Sequence, residues 1–142
     1  MNASFSEAAY KALLQETFNR FPSVQRAGFT VNAYKPGLDG MLAFEEALGH
    51  PSRAFRSIHV AGTNGKGSCA PTIAAILQES GYKTGLYTSP HLVDFSERIR
   101  VSGHPIDENY VGDFVEKEKS FFEPLHPSFF EVSTAMAFKY FK

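Results

Sequence analysis

The sequence has no excess of either charge, almost no cysteine and no long apolar run, and each shortage removes a class of explanation. Fourteen basic residues face fifteen acidic ones, for a formal net charge of −1. A near-neutral chain has no field with which to wrap nucleic acid or adhere to anionic lipid, so an anion has to be held by a local device. The single cysteine, Cys69, excludes an intrachain disulfide framework and a multi-cysteine metal site, and it suits a reducing compartment. No window approaches the ~20 apolar residues of a membrane span. The opening MNASFSEAAYK lacks the basic-then-apolar layout of a signal peptide, so a cytoplasmic location is the expectation. Repeats, low-complexity tracts and domain linkers are also missing. What is present is ordinary globular usage, 43 % hydrophobic and 20 % charged over 142 residues, enough for one domain with its own core and too short for two.

Residues 4–21 place Phe5, Ala9, Leu13, Leu14, Phe18 and Phe21 at helical spacing, and Ser4 with Glu7 matches a capping box. Pro22 stops that helix. The stretch SVQRAGFTVNAYKPGLDG then reads as a long loop, of the kind that carries function. Residues 41–48 form a short helix closed by Gly49 and Pro51. Residues 55–61 (FRSIHVA) read as a strand, CAPTIAAILQES as a helix ended by Gly81, and residues 83–88 (KTGLYT) as a second strand. Together they predict a parallel βαβ unit. In RIRVSGHPI, Ser102 and Gly103 turn a hairpin whose alternation puts Arg98 and Arg100 on one polar strand face. Asp107 caps a helix to about Phe122, which Pro124 and Pro127 break, and FFEVSTAMAFKYFK starts the last one. That last helix is so apolar that it predicts a following strand and a chain cut from something longer, with apolar surface left uncovered.

Between the first strand and its helix stand Gly62, Thr63, Asn64, Gly65, Lys66, Gly67 and Ser68. Glycines let main-chain amides crowd round phosphate oxygens, and the helix that follows aims its positive end at them. A lysine neutralises charge, and a serine hydroxyl suits magnesium. The spacing departs from GxxxxGK[ST], because Val60 replaces the first glycine and Gly67 separates Lys66 from Ser68. The competing reading of Asn64-Gly65 is a hairpin turn, which the helix-length apolar segment after it disfavours. Cys69 reads as a small buried helix residue rather than a nucleophile.

IHVAGTNGKGS followed by GYKTGLYTSPHLVDFSERIRVSG resembles the paired signature of the folylpolyglutamate synthase and dihydrofolate synthase family, a branch of the Mur-type ATP-dependent amide ligases. AYKPGLDG, LGHP and FFEVSTAMAF resemble further segments of that family, so the likeness runs from about Phe21 onward. It implies an α/β fold: the N-terminal part of a P-loop, three-layer, Mur-ligase-like ATPase domain, with a parallel βαβ core, a short hairpin and several helices. The glutamate-ligase domain would follow outside these residues.

The resemblance implies ATP and magnesium as cofactors, with Lys66 as the catalytic residue at the β and γ phosphates. Ser68, Ser89 and Glu131 become magnesium ligands, and Phe138 approaches the pterin. Read without it, Ser89-Pro90 is a turn, Ser128 with Glu131 is as readily a capping box as Glu131 is a metal ligand, Phe138 is core and His91 is structural. The loop 25–38, with Phe29 and Tyr34, would help hold dihydropteroate or folate. The implied reaction is ligation of L-glutamate through an acyl phosphate, with these small molecules rather than nucleic acid or membrane as partners. Two other readings stay open: another Mur-type amide ligase, or a non-catalytic nucleotide-binding module.

Overall fold

A computed structural model describes residues 6–21 and 37–142. The expectations for Phe5, Phe29, Tyr34 and most of the loop 25–38 lie outside these residues. Helix α1 (Glu7–Arg20) is capped by Ser6, whose hydroxyl accepts from the Ala9 amide at 3.2 Å, so the cap stands two residues later than the Ser4 pattern predicts. Both serines offer the same chemistry, and only the structure selects between them. Helix α2 (Asp39–Ala47) ends at Gly49, whose φ of 70° is the left-handed value glycine adopts freely, and a 3-10 turn (Pro51–Ala54) follows. Helix α3 (Lys66–Glu79) follows the glycine loop. Strand β1 (Gly85–Tyr87), a 3-10 turn (Phe95–Arg98), β2 (Ile99–Val101) and β3 (His104–Pro105) come next, then α4 (Glu108–Leu125) and α5 (Phe129–Phe141). Asp107 caps α4 as expected, but the helix runs through Pro124, which near a C-terminus forfeits only one hydrogen bond.

The sheet corrects one expectation. β1 pairs antiparallel with β2 (Leu86 opposite Arg100), and β2 with β3 across the Ser102–Gly103 turn, where both residues have positive φ. Residues 55–61 form no ladder, so the parallel βαβ pair predicted there is not built among the described residues. Ile58 is 65 % exposed. A strand of a parallel sheet is stable only when flanked by partners and covered on both faces, and none of the described strands lies beside this one.

The core gathers instead round α5. Val132, Ala135, Met136 and Ala137 share one buried cluster with Tyr10 and Leu14 of α1, Phe44 of α2, Ile99 of β2, and Val111, Phe114 and Phe122 of α4. The Phe44 and Phe122 rings meet edge-on at 5.1 Å, a geometry that suits the aromatic quadrupole. The last helix, expected to stand uncovered, is therefore the best-covered element. Phe130 of α5 is 56 % exposed, and the other exposed apolar surface lies elsewhere: on α3 only Ala74 is buried, and Ile76 is 61 % exposed. Cys69 is exposed too, against the expectation that it is buried. Among the described residues no helix is long and apolar enough to cross a membrane.

Candidate functional site

The glycine loop runs directly into α3 with no hairpin at Asn64-Gly65. Gly65 is the residue before the helix and has φ 79°, where a side chain would strain the backbone; its carbonyl accepts from the Ser68 and Cys69 amides at 3.1 and 2.9 Å. The amides that open a helix have no partner inside it and concentrate positive potential. Gly67 differs: its backbone is ordinary, and a Cβ there would meet nothing within 4 Å. A glycine inside a helix costs roughly 1 kcal/mol against alanine, and nothing in the local packing demands it. Open space beside Gly65 and Gly67 is what a ligand approaching the main chain requires. The Lys66 ammonium donates to the carbonyls of Gly62 and Thr63, 3.1 Å in the second case, and so closes over its own loop.

A second group of residues collects where β1 ends. Thr88 donates its amide to the Arg98 carbonyl at 2.9 Å, and the exposed Ser89 follows. Arg98, read from sequence as part of a polar strand face, is 1 % exposed and lies in the 3-10 turn one residue before β2, so its side chain enters the interior. Its NH1 donates to Ser89 Oγ at 2.8 Å and its Nε to His91 Nδ1 at 2.7 Å, while Cζ sits 5.2 Å from the Phe129 ring. Burial lowers the Arg98 pKa against an opposing effect from the Tyr87 hydroxyl; burial and then the Arg98 charge lower that of His91. Tyr87 in turn lies 2.7 Å from Ser133 Oγ of α5. The loop beyond Ser89 is held by Glu97, whose carboxylate accepts from the Leu92, Val93 and Asp94 amides at 3.0–3.1 Å.

Glu131 stands in the first turn of α5 and completes a capping box: its Oε2 accepts from the Ser128 amide at 2.7 Å while the Ser128 hydroxyl accepts from its amide at 3.2 Å. The local reading of this pair is therefore realised. The same carboxylate lies against α2, where a Cβ on Gly40 would overlap Oε1 and oblige the Glu131 carboxylate to move. Phe138 packs edge-on against Phe55 at 5.7 Å. The structure thus brings Ser89 and the first turn of α5 together through Arg98 and Tyr87. Among the described residues Lys66 bonds to its own loop, and no hydrogen bond joins Ser68 to Ser89 or Glu131. Sequence reasoning missed Arg98, because an alternating RIRV pattern reads as a half-exposed strand.

A glycine-rich loop opening a helix beside a small sheet, with a lysine at its first helical position, defines a phosphate-loop α/β protein. No family model matches the chain. It is 45 % identical over 113 residues to the dihydrofolate synthase/folylpolyglutamate synthase of Bacillus subtilis, a match that takes in 75 % of this chain and 26 % of that protein. Its fold superposes on the folylpolyglutamate synthase of Thermotoga maritima with a TM-score of 0.79 and 38 % identity, over 94 % of this chain and 30 % of that one. Against Escherichia coli FolC in complex with DHPP and ADP the TM-score is also 0.79, with 31 % identity, over 97 % of this chain and 32 % of that one. The chain belongs to the folylpolyglutamate synthase/dihydrofolate synthase family, and it spans about a quarter of the length of the curated relative it matches.

Proposed function

We propose that these residues form the N-terminal, phosphate-binding portion of the ATP-binding domain of a cytoplasmic ligase that joins L-glutamate to dihydropteroate, folyl-polyglutamate or both. The observation that carries this reading is the junction at Gly65, where a left-handed glycine opens α3 and the space beside Gly67 is free. In the reaction a pterin-linked carboxylate takes the γ-phosphoryl of ATP, giving an acyl phosphate and ADP. The amino group of glutamate then displaces phosphate to leave the amide. Lys66 and the amides of the loop would bind and orient the phosphates, which is where phosphoryl-transfer enzymes concentrate their effort. No covalent nucleophile is required.

Ser68, Ser89 and Glu131 are the residues that would hold magnesium. Two hydroxyls and a carboxylate are hard oxygen donors, and the single Arg98 bond to Ser89 Oγ leaves that oxygen a second lone pair, so the donor set fits. When bound, the metal supplies charge neutralisation at the phosphates. Calorimetry with Mg-ATP tests the proposal: the wild-type chain binds, and Lys66→Ala weakens binding at least tenfold. Undiminished binding by the variant, or none by the wild type, overturns it. The ligation itself is assigned to the longer architecture of the relatives, and the 142 residues alone are expected to join no glutamate to dihydropteroate.

A further inference from the structure

Arg98 is the largest of the fully buried side chains, yet one of its hydrogen bonds goes to a serine on the surface. If the space it fills needed only packing, an apolar side chain of similar volume would serve as well or better, since burying a guanidinium carries a desolvation penalty. What an apolar residue lacks is the planar fork of N–H donors, which fixes direction as well as distance. Two of its donors go to residues of one loop, at 2.8 Å to Ser89 Oγ and 2.7 Å to His91 Nδ1, and the group also hydrogen-bonds the Tyr87 hydroxyl of β1. The rest of the group lies against α5: Cζ is 5.2 Å from the Phe129 ring, and the Tyr87 hydroxyl beside it reaches Ser133. Phe129 and Ser133 flank Glu131 on the first turns of the same helix.

We propose that Arg98 is a positioning residue for metal-bound nucleotide: it holds the Ser89 hydroxyl and the His91 ring in a fixed relation to the helix that carries Glu131. The proposal rests on the nucleotide-binding reading above. It assigns a role to a residue that touches neither nucleotide nor metal and acts through Ser89. Magnesium affinity is commonly lost by roughly 10- to 100-fold when a residue that orients a ligand is removed.

The test measures ATP binding to the chain by calorimetry, once with magnesium and once with EDTA. Arg98→Met, which conserves volume, is expected to raise the Kd for Mg-ATP by roughly 10- to 100-fold while leaving that for metal-free ATP unchanged. Ser89→Ala should cause the same loss, the double variant no further loss, and Arg98→Lys, which keeps charge without the fork, no recovery. Wild-type affinity for Mg-ATP in Arg98→Met, or an equal loss with and without metal, overturns the proposal. Should Arg98→Met fail to fold, the wild type still decides. Its Arg98 Nε–H resonance is expected to exchange slowly and to shift on adding Mg-ATP but not ATP alone, and an unshifted resonance overturns the proposal. A wild type that binds no Mg-ATP, or a Lys66→Ala variant that binds as the wild type does, overturns the nucleotide reading itself. Those two results are separate from any result at position 98.

Discussion

The α5 core and the phosphate-loop arm are built in opposite ways. Round α5, aromatic and β-branched side chains of α1, α2, α4 and β2 are buried in one cluster with its own, and Val111, Phe122 and Ala137 are inaccessible to solvent. Along residues 55–82 the chain carries its most specific sequence pattern, yet Ile58, Ile76 and Tyr82 are each more than 60 % exposed. Strength of motif and depth of packing are separate properties. A loop that is to receive a ligand on its amides must keep them uncovered, so its shape has to come from backbone conformation rather than from burial. Gly65 supplies that with its left-handed φ, and the Lys66 bonds to Gly62 and Thr63 close the turn from the other side.

Truncation on each side of this divide gives the largest contrast. Phe122→Ala removes a ring in edge or tilted contact with Phe21, Phe44, Phe114 and Phe121, and it should cost about 3–5 kcal/mol in a denaturation experiment. Ile76→Ala on α3 should cost no more than about 0.5 kcal/mol. Comparable losses would mean that α3 is covered in solution and that the two regions are not so different. A smaller effect is expected at Gly85, in β1. A Cβ there would lie 2.8 Å from the Phe141 ring, and the aromatic side chain, itself packed on Phe55, has to yield. Gly85→Ala should destabilise by about 1–3 kcal/mol, read from the denaturation midpoint. A neutral result would show that the C-terminal end of α5 is looser than the rest of its helix.

The features legible in the sequence are those decided by neighbours along the chain. The Ser128–Glu131 capping box, the Ser102–Gly103 turn, the Asp107 cap and the stop at Gly49 each depend on a few consecutive residues, and each forms where the pattern puts it. What was not legible depends on distant parts of the chain. Arg98 begins no strand: the 3-10 turn claims it, and the cavity that receives it is made by Phe129, Tyr87 and His91. Residues 55–61 have strand composition, but among the described residues no strand pairs with them. The last helix is covered by α2, α4, β1 and the Pro51–Ala54 turn, which its own composition does not reveal. At the site, loop and helix were readable from spacing. The meeting of Ser89 with the first turns of α5 was not, nor was the close passage of Gly40 beside Glu131.

The smallest expected effect concerns a third kind of construction, intermediate between the two regions. The loop after Ser89 exposes Leu92 at 91 % and Val93 at 89 %, so burial does not hold these two residues, and their amides are held by one carboxylate. Glu97 accepts the amides of Asp94, Leu92 and Val93, and these bonds hold its pKa below the usual carboxylate value against the small opposing effect of burial. A depressed folded pKa means the unfolded loop binds the proton more readily. The stabilisation is therefore fully present above the ordinary glutamate range near pH ~4.3 and is lost as pH falls through the lower folded value. Hydrogen exchange at Leu92, Val93 and Asp94, corrected for the intrinsic pH dependence of exchange, should lose protection on acidification below about pH 4. The Val132 and Met136 amides in α5 should keep theirs over the same interval. Glu97→Gln should bring the unprotected behaviour to neutral pH and lower the denaturation midpoint only slightly, less than Gly85→Ala does. Loss of protection in loop and core together would mean that the loop has no opening of its own and moves with the α5 core.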